Sequence, residues 1–175
     1  MANSTSITYR LKRKILTFTN KISLSLSKPD RKFTADMVYG ILSSKSCLLT
    51  DISDQLHESS RKANTVKRLS NHLAAGTPAS AAASYLRTVK KLVPSEPVVL
   101  IDESDVVKPD GKQFESLGIV RDGSESTQTK NVYKKGYHVT EACALTAHKH
   151  PISVFSRIHS SAEKDYKSVN TITFD

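Results

Sequence analysis

A chain of 175 residues, 38% hydrophobic and 25% charged with a net charge of +9, is long enough for one ordinary domain or two small ones and too apolar to be a disordered tail. No apolar run approaches the roughly 18 residues of a membrane span, and no hydrophobic stretch follows the basic N-terminus as a secretory signal would require. Cys47 and Cys143 stand far apart without metal-ligand spacing, which suits two reduced thiols in a cytoplasmic protein.

The charge is unevenly placed. Residues 1–94 carry 16 Lys and Arg against 5 Asp and Glu, whereas residues 95–175 carry 10 against 12. A basic first half joined to a slightly acidic second half suggests a polyanion-binding module, and nucleic acid is the commonest polyanion. Residues 1–8 are polar and are expected to be loose. Arg10, Lys12, Arg13 and Lys14 then alternate with apolar residues, and the spacing of Leu11, Ile15, Phe18 and Ile22 predicts an amphipathic helix with a cationic face. Such a face can cross a DNA backbone, so Lys12, Arg13 and Lys14 are candidate DNA contacts.

Arg31–Ser44 predicts a second helix, with Phe33, Met37 and Ile41 on one face. Gly40 sits awkwardly in its middle. Thr50 suits an N-cap, with Asp51 and Asp54 in the first turn, predicting a short helix over Asp51–His57. After a polar break, Asn64–Leu73 predicts another helix whose buried stripe is Val66, Leu69 and Leu73. That leaves Asn64, Lys67, Arg68, Asn71 and His72 facing outward. A short helix, a turn, and a helix presenting Asn, Lys and Arg is what a helix-turn-helix needs, since Arg and Lys suit guanine and Asn suits adenine in the major groove. Asn64, Lys67, Arg68 and Asn71 are the candidate base and phosphate contacts. Thr77 and Pro78 restart a helix over Ala79–Val93 with Ala82, Tyr85, Leu86, Val89 and Leu92 inward. Pro94 and Pro97 end it, and the domain boundary is set near Pro94: a helical, basic region over 1–94 and a second domain over 95–175.

In the second half, Val98–Ile101 reads as a buried strand, and Asp102, Glu103 and Asp105 follow as it ends. A carboxylate at the end of a core strand sits on a rigid element, where a metal site needs it. Lys108–Gly111 is a turn, Lys112–Leu117 a short helix or irregular crossing, and Asp122–Lys130 a polar loop. Tyr137–Thr146 and Ile152–Ile158 predict two further strands forming a hairpin around His148–Pro151. Ser160–Asp165 looks like a helix start. Three antiparallel strands with a helix beginning make an incomplete layer.

The ordered segments LIDESDVVKPDGKQFESLGIVRDGS, KKGYHV, PISVFSRIHSS and KSVN, with SLSKPDRKF and RLSNHL upstream, resemble bacterial insertion-sequence transposases of the DDE class. The resemblance runs from about residue 22 to the end. It implies a mainly α N-terminal DNA-binding region followed by an incomplete α/β ribonuclease-H-like domain holding its first three strands. It implies DNA transposition by cut-and-paste, with binding by a homodimer to the terminal inverted repeats of a transposon as double-stranded DNA. Membrane and small-molecule substrates are not implied. Asp102, in the Asp-x-Ser setting, would be the first of three catalytic and metal-binding carboxylates that hold two Mg²⁺ (or Mn²⁺) ions for phosphodiester chemistry. The second Asp and the Glu of that class lie further downstream, so the expectation for this sequence is a piece that binds DNA and does not cut it. A stand-alone helix-turn-helix regulator using residues 50–73 is the alternative.

Overall fold

The computed structural model describes residues 2–168 and 170–171, with side chains from Tyr9 onward. The chain divides into two compact units, Met1–Lys91 and Leu92–Asp175.

The first unit is helical: α1 (Ala2–Ile22), α2 (Lys28–Ser44), α3 (Leu49–Leu56), α4 (Lys62–Ala75) and α5 (Ala79–Val89), which tightens into a 3₁₀ turn at Lys90–Leu92. Residues 2–8, expected to be loose, are the first turns of α1, because extending a helix already nucleated downstream costs little. The buried stripe of α1 is Ile15 and Thr19, continued by Ser23 in the turn that follows, while Leu11 and Phe18 stay exposed. Ser27 caps α2, accepting from the backbone N–H of Asp30 with Pro29 in the first turn, and Lys45 closes the helix in the left-handed region at φ 57°.

Gly40 is what lets α2 and α3 meet. A Cβ there would lie 2.4 Å from Cγ2 of Ile52, the fully buried centre of α3. Helix α3 starts two residues before the predicted Asp51: Leu48 stands at its N-cap without a side-chain bond, and Thr50 lies inside the helix. In α4 the inner stripe is also turned from the predicted one. Thr65 and Leu69 are buried, whereas Leu73 is 49% exposed. In α5, Ser84 and Val89 face inward and Leu86 is exposed.

The second unit corrects the expected fold class. It is not an incomplete α/β ribonuclease-H-like layer of three strands; it is a four-stranded, wholly antiparallel sheet of β1 (Val99–Val107), β2 (Gly118–Arg121), β3 (Tyr133–Leu145) and β4 (Pro151–His159), with no helical element between strands. The long β3 is the centre: β1 pairs along one edge, and β2 and β4 share the other, meeting its first and second halves respectively. Of the two alternatives for 112–117, a short helix or an irregular crossing, the segment takes the irregular one, turning at Ser116 (φ 49°) and feeding β2. Beyond β4, residues 160–165 form turns rather than a helix start.

Strand β1 differs most from its expectation. It is an edge strand, exposed from Val99 to Val106, with Leu100 and Ile101 each 50% exposed. The acids lie within the strand rather than at the end of a buried one. Alternation puts Asp102 on one face of the sheet and Glu103 and Asp105 on the other. The core of the unit gathers on the Glu103 face, from Gly118, Val120, Gly136, Thr140, Ala144 and His159. Gly136 is needed there, since a Cβ would lie 2.5 Å from the Val106 carbonyl oxygen.

Candidate nucleic-acid interface

Most acids of the helical unit face its own basic groups. Arg68 Nη2 donates to Asp36 Oδ2 at 2.7 Å and to Glu58 Oε1 at 3.1 Å, and Lys32 Nζ reaches the same two carboxylates. Thr65 Oγ1 donates to the other oxygen of Glu58 at 2.8 Å. With the Lys32 ammonium as the largest cause, these contacts hold the Glu58 carboxyl down at about 2. Lys62 pairs with Asp54 at 2.7 Å, and His72, stacked on Phe33 at 5.0 Å between centroids, has Nε2 3.7 Å from Asp30. Four of the unit's five acids therefore face basic groups within it, and only Lys32, Lys62 and Arg68 of its 16 Lys and Arg make these ion pairs.

This arrangement splits the residues singled out on α4. Arg68 and His72, expected to face outward, are half-buried on the inner side, Arg68 in the ion-pair network with Asp36 and Glu58 and His72 stacked on Phe33 near Asp30. Asn64, Lys67 and Asn71 are exposed together on the opposite face, spaced three and four apart. Lys67 makes no ion pair among the described residues. Between this face and the start of α3 runs an open groove of about 630 Å³, lined by Thr50, Lys62, Val66, Lys67, Ser70 and Asn71. The turn joining α3 to α4 spans residues 57–61, with His57 in the left-handed region at φ 48°.

On α1, Arg13 and Lys14 are exposed with Arg10, away from the Ile15–Thr19–Ser23 stripe. Lys12 is placed differently, its Nζ lying 4.8 Å from the centre of the Tyr39 ring, a cation–π contact within the unit.

In the sheet unit, Asp102 is exposed and stands directly across β1–β3 from Glu141. Among the described residues, no group of three or more His, Cys, Asp and Glu could hold a metal ion. The described residues therefore supply no ligand set for the Mg²⁺ that the resemblance implies. What the sequence reading missed is on the other face. His138 Nδ1 lies 2.8 Å from Asp105 Oδ1, and its ring stacks on His159 and Tyr166 at 5.5 and 6.5 Å between centroids. His159 is fully buried; Nε2 shares a hydrogen bond with Thr140 Oγ1 at 3.0 Å, and Nδ1 has no partner among the described residues. The only sequence signal was the alternation that puts His138 and Thr140 on one face of a strand.

No family model, curated protein or solved structure matches this chain. Among the described residues, no helix is long and apolar enough to cross a membrane.

Proposed function

We propose that the helical unit binds double-stranded DNA, with α4 as the element that enters the major groove. The observation that carries this reading is the two-sidedness of α4. Its inner face uses Arg68 and His72 against the unit's own acids, and its outer face presents Asn64, Lys67 and Asn71 beside an open groove. Asn offers adenine a bidentate amide, and Lys offers guanine or a phosphate a cation. Because Lys and Arg outnumber Asp and Glu 16 to 5 in residues 1–94 and most of those acids already face basic groups, the remaining cations, Arg10, Arg13 and Lys14 of α1 among them, give the unit a positive field toward phosphate. The transposase-like segments favour the terminal inverted repeat of a transposon as the duplex, and DNA transposition as the process served.

The test is fluorescence anisotropy of the purified chain with labelled duplexes across a salt series. Affinity is expected to fall steeply and log-linearly with salt. Lys67→Ala with Asn71→Ala is expected to weaken binding by about ten- to a hundred-fold and flatten the salt slope by about one. Binding indifferent to salt, or unchanged in the double variant, removes the assignment.

A further inference from the structure

The face of the sheet that carries Asp102 has no buried residue at all. An antiparallel sheet with one solvated face ordinarily shows polar side chains there. Here Leu100, Val106, Ile119 and Ile158 lie on that side, exposed by 50, 36, 56 and 64%. In the middle of this apolar surface sit two carboxylates, Asp102 and Glu141, paired directly across the β1–β3 ladder. Like charges so placed oppose each other at about 5 Å. Asp102 makes no hydrogen bond or ion pair among the described residues, and the Ser153 and Ser156 hydroxyls hold Glu141 in its ionised form by lowering its pKa. Apolar side chains flank the acidic pair on both sides, with Ser104, Ser153 and Ser156 around it and Lys135 opposite Ile119 toward one end.

We propose that this face seats a partner helix, amphipathic, with an arginine set in the middle of its apolar stripe. A helix laid on a sheet buries residues at i, i+3, i+4 and i+7, so leucine-like groups meet Leu100 on one side and Val106 or Ile158 on the other. A guanidinium between them bridges both carboxylates, its planar fork fitting two acceptors where an ammonium fits one. Charge excludes the simplest rival. A second copy docking through the same face about a two-fold axis sets one Asp102–Glu141 pair against another in a desolvated contact. The inference concerns the sheet unit alone and stands or falls apart from DNA binding by the helical unit.

The probes are two fluorescein-labelled designed helical peptides with a leucine stripe, identical except for Arg or Glu at its centre. Added to the full chain and followed by anisotropy, the Arg peptide is expected to bind at least about tenfold more tightly than the Glu peptide. Asp102→Asn with Glu141→Gln, checked for an unchanged circular dichroism spectrum, should erase that preference while leaving duplex affinity as it was. Ile158→Asp should weaken both peptides. Equal binding of the two peptides to the unaltered chain overturns the proposal, as does a preference that survives in the carboxamide variant. A dimer in sedimentation that Ile158→Asp abolishes overturns it too, because the face is then covered by a second copy.

Discussion

Arg68 of α4 reaches back to Asp36 of α2, Nη2 to Oδ2 at 2.7 Å, while its chain neighbour Lys67 is exposed and makes no ion pair among the described residues. Two adjacent cations therefore have different work. Arg68→Ala leaves Asp36 and Glu58 with Lys32 alone and is expected to lower the unfolding free energy by about 1–2 kcal/mol, as for a half-buried, hydrogen-bonded charge pair. Lys67→Ala should leave stability within about 0.5 kcal/mol and act on duplex affinity. Urea titrations of the two variants side by side check this; equal destabilisation would put Lys67 in the network as well.

Gly40→Ala separates helix propensity from packing. On an isolated helix the change stabilises by about 1 kcal/mol. In α2 the new methyl would lie 2.4 Å from Ile52 Cγ2 and 3.2 Å from its Cβ. Ile52 is fully buried and cannot step aside, so a net loss of about 1–3 kcal/mol is expected. The companion Ile52→Ala removes the obstructing Cγ2 itself, and the double variant should lose less than the sum. A stabilised Gly40→Ala in thermal unfolding would mean that α2 and α3 do not approach this closely.

These two residues also mark what the sequence could and could not tell. Apolar spacing found the helices, because a helix needs only local bonds and one greasy side. It misplaced their inner faces, because the inside of α4 is built partly from Thr65 and Arg68, whose partners Glu58 and Asp36 lie outside the helix, Asp36 32 residues from Arg68. The β3–β4 hairpin was legible from alternating patterns around a four-residue polar turn. Strand β1 was not: Val98–Ile101 reads as core, yet a run of apolar residues does not say whether a second layer will cover it. The Asp105–His138 contact depends on the β1–β3 register, which no local pattern specifies.

Glu58 gives the helical unit an acid limb with a defined sign. Its carboxyl sits at about 2 in the folded chain against an ordinary 4.5, the Lys32 hydrogen bond being the main cause. A carboxyl depressed by folding contributes stability above its unfolded value and loses it as the pH falls through the folded one. The contribution, discounted for solvent screening to about 1–2 kcal/mol, should vanish between about pH 4.5 and pH 2. Glu58→Gln should be less stable at neutral pH and show a shallower decline over that window. A decline of the same depth in Glu58→Gln would assign the acid limb to other carboxylates.

His159 sets a second acid limb, in the sheet unit and at higher pH. Burial, as the largest cause, lowers its pKa below the ordinary 6.5; His138 and Arg157 act in the same direction, and Glu163 and Glu103 oppose them. The ring is closed in by His138 on one side and Tyr166 on another, with Thr140 bonded to Nε2. Protonation would place a second N–H donor at Nδ1, where no acceptor stands among the described residues. A base whose folded pKa lies below its unfolded one favours the unfolded chain in acid, so its stability is whole above about pH 6.5 and declines as the pH falls below it. This window lies above that of Glu58, and near-UV circular dichroism of the tyrosines, Tyr166 included, should follow it between about pH 8 and pH 5. His159→Gln keeps a hydrogen-bonding group for Thr140 but does not titrate, and it is expected to flatten this limb while leaving the Glu58 limb in place. If His159→Gln retains the full decline between those pH values, the buried imidazole is not its source.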